Sequence, residues 1–206
     1  MAPPGVPPQA VTAHRGPRAD VIELIMADHR RVRRLREVLE DAVRRGPAVG
    51  SWWALVELWI RLADLLEAHM AAEEEICYLP MSRSGSVSPE RRRDATADHG
   101  DIREAIGEAR LQLAGSAVWW AAARAVLAAS GDHFDREEHD MLAAWLPSLT
   151  MSKRLELGSQ WLTFIRARRL ETIPVRHAAV LACWRGAGPF FPYTEVHPEN
   201  LYRIAI

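Results

Sequence analysis

The sequence is poor in cysteine, lacks any long uncharged apolar run and has no excess of charge of either sign. Its 206 residues include two cysteines, Cys77 and Cys183, which are too few for a disulfide scaffold and form no C-x-x-C pair. We therefore expect a reducing compartment, by default the cytoplasm, and no thiolate-built zinc site. A formal net charge of −1 gives no long-range attraction to nucleic acid or anionic lipid, so neither partner is expected.

Apolar runs of membrane-spanning length are also missing, and the N-terminal residues contain no signal-peptide core. Residues 1–18 instead mix proline, glycine and alanine without hydrophobic periodicity, and we expect a flexible tail there. The sequence therefore predicts neither a membrane anchor nor a secretion signal.

Hydrophobic residues at helical spacing fill most of residues 19–149. The spacing predicts four helices, over about 19–46, 51–80, 88–113 and 117–147. Ser51 and Ser88 are placed to cap two of them, and Leu-Pro pairs at Pro80 and Pro147 are placed to end two. Because the connections are short, neighbouring helices should run antiparallel. The predicted fold class is all-α, an up-down-up-down antiparallel four-helix bundle with additional C-terminal helices.

Residues 150–206 follow the predicted bundle as a C-terminal extension. Helical periodicity predicts one helix over about 153–170 and another over 174–184, which Pro174 would begin. The glycines, prolines and aromatics of residues 186–206 predict an irregular tail. The extension could also offer a surface to a protein partner.

The two halves of the predicted bundle repeat one pattern of acidic residues and histidine. An Asp-His pair lies on the first and third helices, and His-x-x-x-Glu-Glu lies on the second and fourth. Residues four apart project from one face of a helix, so each His-x-x-x-Glu can bind one metal with both side chains. In an antiparallel bundle all four histidines reach about the same height. The predicted metal ligands are His29, His69, Glu73, His99, His133 and Glu137.

Four imidazoles and two carboxylates suit a pair of borderline metal ions, with the imidazoles terminal and the carboxylates able to bridge. Histidine outnumbers carboxylate and thiolate is missing, which favours two iron ions for redox or gas chemistry. Zinc and manganese stay alternatives, because ligand type alone does not exclude them.

The repeated motif resembles the hemerythrin-like proteins, also called the HHE cation-binding domain. Their pattern is a histidine on one helix followed by His-x-x-x-Glu on the next, given twice, and the resemblance covers roughly residues 20–149. It implies a non-haem di-iron protein that binds O2, NO or peroxide. The oxygen-carrying hemerythrins have a second histidine one turn beyond the third-helix ligand, where this chain has Arg103. The chain is thus similar to the six-ligand subgroup, which implies an extra open coordination position.

Three functions remain open on this reasoning. A binding protein would use the open position for sensing, storage or detoxification. A di-iron enzyme would use it for catalase/peroxidase-type or oxidase activity. In a metal-stabilised structural or regulatory module, the extension would contact a partner.

Neighbours of the six residues have competing interpretations. Glu74 and Glu138 are rotated by about 100° from the preceding glutamates, and we expect them to be solvated or to pair helices. Asp28 and Asp98 suit the early turns of helices and suit a hydrogen bond to the histidines equally well. Tyr78, near the mouth of the bundle, could hydrogen-bond a bound oxygen species or pack its ring in the core, and we expect core packing.

Other histidines are not expected to bind metal. His139 lies six residues after His133, about 120° around the helix, and should face away from the site. His14, His177 and His197 lie in the predicted tail and extension. We expect none of these four to be a ligand.

Overall fold

The computed structural model of the chain describes residues 19–45 and 52–186, with side chains over 19–42, 44 and 54–168. Within these ranges every regular element is helical and no strand occurs, which confirms the all-α class. The elements are α1 (Val21–Arg45), α2 (Trp52–Ala72), a π-helical segment (Glu73–Cys77), α3 (Tyr78–Ser84), α4 (Pro89–Leu111), α5 (Ala117–Arg136), a second π-helical segment (Glu137–Leu142), α6 (Ala143–Trp145), a 3-10 turn (Leu146–Ser148) and α7 (Met151–Gly186).

The predicted N-terminal tail, residues 1–18, and nearly all of the predicted irregular tail lie outside the described residues. None of the helices in the described ranges combines the length and apolar character needed to cross a bilayer. Ser51, the predicted cap of the second helix, is also outside them.

Serine caps set the beginnings of α4 and α5. The Ser88 hydroxyl oxygen accepts a hydrogen bond from the Arg91 N–H at 3.3 Å, and Ser116 accepts one from the Trp119 N–H at 3.1 Å. Gly115 precedes the second cap with φ of 75°, a left-handed conformation that favours glycine. The predicted helix start at Ser88 is confirmed.

The prediction that Pro80 ends the second helix is wrong. After α2 the chain continues through the first π-helical segment into α3, which ends at Gly85, where φ is 68°. Pro80 is the third residue of α3 and follows the π-helical segment, where i→i+5 bonding already interrupts the i→i+4 pattern that a proline would break. By contrast, the chain does leave its helix at Pro147, in the 3-10 turn, as predicted.

The helices pack in a ring, because α1 contacts α2 and α5, and α4 contacts the same two helices. The apolar interior has two parts that meet at the level of the predicted metal ligands. On α1, Val32 and Leu39 belong to the first part, while Val21 and Ile25 belong to the second, and His29 lies between them. Apolar packing therefore closes the site from both directions along the helices.

The C-terminal extension differs from its prediction. One helix, α7, replaces the two predicted helices, so Pro174 lies within a helix and does not begin one. The first compact unit of the chain ends at Arg166, and Leu157 and Trp161 of α7 lie within its core at 2% exposure. The second unit begins at residue 167. The predicted domain boundary at residue 149 stays a prediction.

Gly158 permits a close approach between α7 and the residues that begin α1. A Cβ atom on Gly158 would lie 1.7 Å from the carbonyl oxygen of Ala19. Beside it, Asp20 accepts a hydrogen bond from the Ile22 N–H at 2.9 Å and forms an ion pair with Arg154. Only glycine fits at this contact.

We expect Gly158→Ala to lower the free energy of unfolding by about 1–3 kcal/mol, because the added methyl group forces α7 away from α1. Gly107→Ala is the matched control, since a Cβ there has no neighbour within 4 Å. The control should instead stabilise α4 by up to about 1 kcal/mol. Urea denaturation of both variants at equal metal content tests this, and equal effects would contradict it.

Candidate metal centre

The structure brings all six predicted ligands together in the interior. Each has a side chain that is at most 1% exposed. The histidines come from four different helices and the glutamates begin the two π-helical segments: His29 on α1, His69 on α2, His99 on α4, His133 on α5, and Glu73 and Glu137.

The two π-helical segments occupy equivalent places in the internal repeat. One begins at Glu73 and the other at Glu137, each four residues after a histidine. At the end of the first, the Tyr78 N–H donates to the carbonyl oxygen of Glu73, five residues earlier. Such segments are rare and frequently occur at functional sites. Their repetition indicates that the backbone widens specifically where the glutamates turn inward.

The histidines form two pairs, and Glu73 lies between them. The Nε2 atoms of His29 and His69 are 3.0 Å apart, and those of His99 and His133 are also 3.0 Å apart. One carboxylate oxygen of Glu73 is 3.0 Å from His69 Nε2, and the other is 3.3 Å from His99 Nε2. This carboxylate therefore reaches both pairs.

Glu137 completes a symmetrical arrangement. Its Oε2 is 3.3 Å from His29 Nε2 and 3.8 Å from His133 Nε2. Ligand atoms within 4.8 Å of one another define two groups that could each hold a metal ion, and Glu73 belongs to both. The groups are His29, His69, Glu73 and Glu137, and Glu73, His99 and His133.

Glutamates that the sequence analysis did not assign to the site fix the orientation of two histidines. His29 Nδ1 is 2.7 Å from Glu138 Oε1, and His99 Nδ1 is 2.8 Å from Glu74 Oε1. An Nδ1–H donated to a carboxylate leaves Nε2 unprotonated and available to a metal. The two glutamates do pair helices, as predicted, but they are not merely solvated side chains.

The aspartates that precede the α1 and α4 histidines face the other two imidazoles. Asp98 Oδ2 is 3.3 Å from His133 Nδ1, and the same oxygen accepts a 2.7 Å hydrogen bond from Arg136. Asp28 Oδ2 is 3.7 Å from His69 Nδ1. Of the two interpretations left open for these aspartates, the contact with histidine is therefore present for Asp98 and looser for Asp28.

Arginines at equivalent positions of the repeat bind Glu74 and Glu138. Arg33 donates to Glu138 at 2.7 Å, and Arg103 donates two hydrogen bonds to Glu74 at 2.9 and 3.0 Å. Each arginine follows a histidine by four residues, which is the sequence signal that could have revealed these contacts. Arg103, which replaces the second histidine of the oxygen carriers, thus binds a carboxylate outside the ring of imidazoles.

The interior of the site has the character of a cation site. All four carboxylate oxygens of Glu73 and Glu137 are buried without a hydrogen-bond partner, a costly arrangement for a charged group. The Nε2 atoms also face one another in pairs. The glutamates that face Nδ1 of His29 and His99 favour a proton on Nδ1, which leaves Nε2 of these two imidazoles unprotonated. Metal cations would satisfy both sets of atoms, and imidazole with carboxylate suits iron, zinc or manganese.

A family model, the hemerythrin HHE cation binding domain, matches residues 20–145. The chain belongs to the hemerythrin HHE family. The match includes all six predicted ligands and confirms the resemblance found from the motif. Comparisons with curated proteins and with solved structures gave no significant match.

Burial shapes the protonation of this hemerythrin-like site. It lowers the pKa of His29 and of His133 to about 4, which keeps both imidazoles neutral as metal binding requires. Burial, reinforced by Glu73, raises the pKa of Glu137 well above its usual value. Burial opposes the charged form of His69 too, yet the carboxylate of Glu73 raises the pKa of His69 to about 10. Without a metal, the raised pKa values of His69 and Glu137 therefore favour a proton on each of these side chains.

Tyr78 reaches the hemerythrin-like site from the second part of the core. Its hydroxyl is 3.2 Å from His99 Nε2, and its ring stacks on that imidazole with centroids 5.7 Å apart. Burial raises its pKa, so the hydroxyl stays protonated. The predicted core packing is present, but the sequence analysis missed the polar contact. In the second half of the repeat, Leu142 stands at the equivalent position, 64 residues later.

His139 lies away from the metal centre, as predicted. Its side chain is exposed, and its Nδ1 is 2.7 Å from the carbonyl oxygen of Asp135. His14, His177 and His197 fall outside the described side chains.

We expect Glu74→Ala to weaken metal binding by about 10–100-fold, because His99 loses the acceptor that orients it and Arg103 loses its partner. Glu75→Ala is the control, since the Glu75 side chain, next to Glu74 in sequence, is exposed and has no described hydrogen bond or ion pair with the histidines. Anaerobic competition for Fe²⁺ against a chromophoric chelator measures both variants. If the two variants bind equally, Glu74 has no role in the centre.

Proposed function

We propose that this chain is a non-haem di-iron protein that binds dioxygen, nitric oxide or peroxide at a metal pair. The observation that supports it most is the arrangement of two imidazole pairs joined by two buried carboxylates, whose four oxygens have no protein partner. His29 and His69 would hold one ion, and His99 and His133 the other. Glu73 and Glu137 would bridge the two.

Iron is the proposed metal because it has accessible redox states and binds diatomic ligands, which the proposed binding of O2, NO or peroxide requires. Zinc or manganese would fit the same donors, since the site contains imidazole and carboxylate without thiolate. A reducing compartment such as the cytoplasm is the proposed location, consistent with Cys77 being a free thiol in the core.

The proposal includes the up-down-up-down bundle. Along α1 the contacts with α5 and the π-helical segment after it move backwards in sequence, from Glu138 at Arg33 to the Leu127 carbonyl oxygen at Arg36. Along α4 the contacts with α2 and the π-helical segment after it do the same, from Glu74 at His99 to Glu67 at Arg110. Antiparallel neighbours explain both series.

An open coordination position supports ligand binding over a purely structural role. Arg103 faces Glu74, so no further imidazole completes the pair of His99 and His133. A small ligand could occupy the position that a seventh protein ligand fills in the oxygen carriers. Sensing, storage or detoxification of such a ligand follows from this proposal.

We expect the protein, purified without a histidine tag, to contain two irons per chain. The visible spectrum of the anaerobic protein should change when O2 or NO is then added. His99→Ala should lose the iron pair, because Nε2 of that residue faces both His133 and Glu73. His139→Ala should keep it. Elemental analysis and spectroscopy decide the matter: zinc alone, or full iron in the His99 variant, overturns the proposal.

A second candidate function is peroxide turnover, and the buried hydroxyl of Tyr78 near His99 Nε2 favours it. This O–H can donate a hydrogen bond to a small ligand beside the metals. We expect Tyr78→Phe to keep its iron and to slow peroxide consumption about 100- to 10,000-fold, the usual range for one positioned proton donor. Oxygen release measured with an electrode tests this. No oxygen release by the parent protein would favour a binding protein, and an unchanged rate in the variant would show that Tyr78 takes no part in turnover.

A regulatory module is the third candidate, and the contact of α7 with the site favours it. The ring of Trp161 packs against His69 with centroids 5.5 Å apart. The state of the metal pair could therefore influence α7, and through it a protein partner of the C-terminal extension.

A further inference from the structure

A pocket of about 330 Å³ lies between α1 and α5, beside the metal centre. Val32, Leu127 and Phe134 form its apolar part, and Arg36, Ser130 and Gly131 also line it. The pocket is partly open to solvent, whereas the six predicted ligands are almost completely buried. One of the residues that line it, Phe134, also contacts the enclosed imidazoles.

The ring of Phe134 separates this pocket from the imidazoles. It stacks on His29 with ring centroids 3.9 Å apart and planes inclined by 17°. The centroids of His69 and His133 are 5.5 and 5.8 Å from it. One aromatic ring thus contacts three of the four imidazoles on one side and the pocket on the other.

In the other half of the repeat, the positions equivalent to Ser130 and Gly131 have larger side chains. His29 and His99 are 70 residues apart, and His69 and His133 are 64 apart, which defines the equivalent positions. Leu66 and Glu67 of α2 stand where α5 has Ser130 and Gly131, and Ile106 of α4 stands where α1 has Arg36.

These larger side chains close the second face. Leu66 and Ile106 are fully buried in the core. Glu67 accepts two hydrogen bonds from Arg110, at 2.7 and 2.9 Å, across α2 and α4. The pocket therefore results from small residues on α5 that the repeat does not use in its other half.

We propose that the pocket between α1 and α5 is the entrance through which small uncharged ligands reach the metal pair, with the ring of Phe134 as the inner barrier. This inference rests on the proposed function, since it assigns a route to the same site. Movement of one ring would open the path, and ring motions within proteins are rapid compared with helix displacement.

The residues that line the pocket favour uncharged ligands over ions. Both of its arginines are paired with carboxylates, because Arg36 donates to Glu40 at 2.7 Å and Arg33 donates to Glu138 at 2.7 Å. Next to the imidazoles the lining residue is the apolar Phe134, and an ion would lose its hydration there without a partner. Neutral molecules such as O2, NO and hydrogen peroxide would pass more readily than hydrated anions.

Gly131 offers a direct test, because a Cβ there would lie 3.0 Å from Arg36 Nη1 at the mouth of the pocket. Gly131→Leu should fill the mouth, whereas Arg36→Ala should widen it. Gly107→Leu is the matched control on α4, where a Cβ meets nothing within 4 Å. None of these residues contacts the six proposed ligands through any described hydrogen bond or ion pair.

Stopped-flow mixing of the anaerobic ferrous protein with NO measures entry and exit. We expect Gly131→Leu to slow association and dissociation by the same factor, about tenfold, which is roughly 1.4 kcal/mol of added barrier. The dissociation constant, iron content and circular dichroism should stay unchanged. Arg36→Ala should accelerate both rates, and Gly107→Leu should match the parent protein.

Two outcomes separate this inference from the proposed function. If the parent protein holds no iron or binds no NO, the proposed function fails. If the parent binds NO and both pocket variants match Gly107→Leu, only the entrance is overturned. A second readout needs no metal: in stripped, still helical protein, diethyl pyrocarbonate should modify His29 more slowly in Gly131→Leu than in the control, with exposed His139 as the internal reference.

Discussion

The structure depends on the compensation of two glutamates buried at its centre. Glu73 and Glu137 are essentially inaccessible to solvent, and their carboxylate oxygens face the Nε2 atoms of the histidines. Buried carboxylates are strongly destabilising unless they are neutralised. Protons or metal ions must therefore reside among them and the facing imidazoles, so the apolar packing on both sides is coupled to what the centre binds.

Carboxylates and arginines outside the centre orient its four imidazoles. Each imidazole turns its Nδ1 toward a carboxylate, and arginines neutralise three of those carboxylates: Glu74, Glu138 and Asp98. Because the arginines are partly exposed, they neutralise these carboxylates without placing a further positive charge among the Nε2 atoms. The inner carboxylates are thus left to a bound cation or to protons, while the outer carboxylates are paired with arginine.

Much of this arrangement follows from sequence spacing, and the remainder depends on backbone geometry that spacing does not encode. The four helices and the convergence of His69 with Glu73 follow from the helical period. The contact of Glu74 with His99 does not, because the expected rotation of about 100° assumes a regular α-helix and the chain is π-helical there. The same segment interrupts the i→i+4 hydrogen bonding just before Pro80, which is why that proline does not end the helix.

Duplication makes the ligands symmetrical, but the side chains around them are not. Tyr78 faces the pair of His99 and His133, where the other half has Leu142. The pocket instead adjoins His29 through Phe134. A ligand entering from the pocket would therefore meet one imidazole pair first and find the phenolic hydroxyl beside the other. In the proposed di-metal centre this asymmetry would give the two ions different surroundings, one nearer to the proposed entrance and one nearer to the Tyr78 hydroxyl.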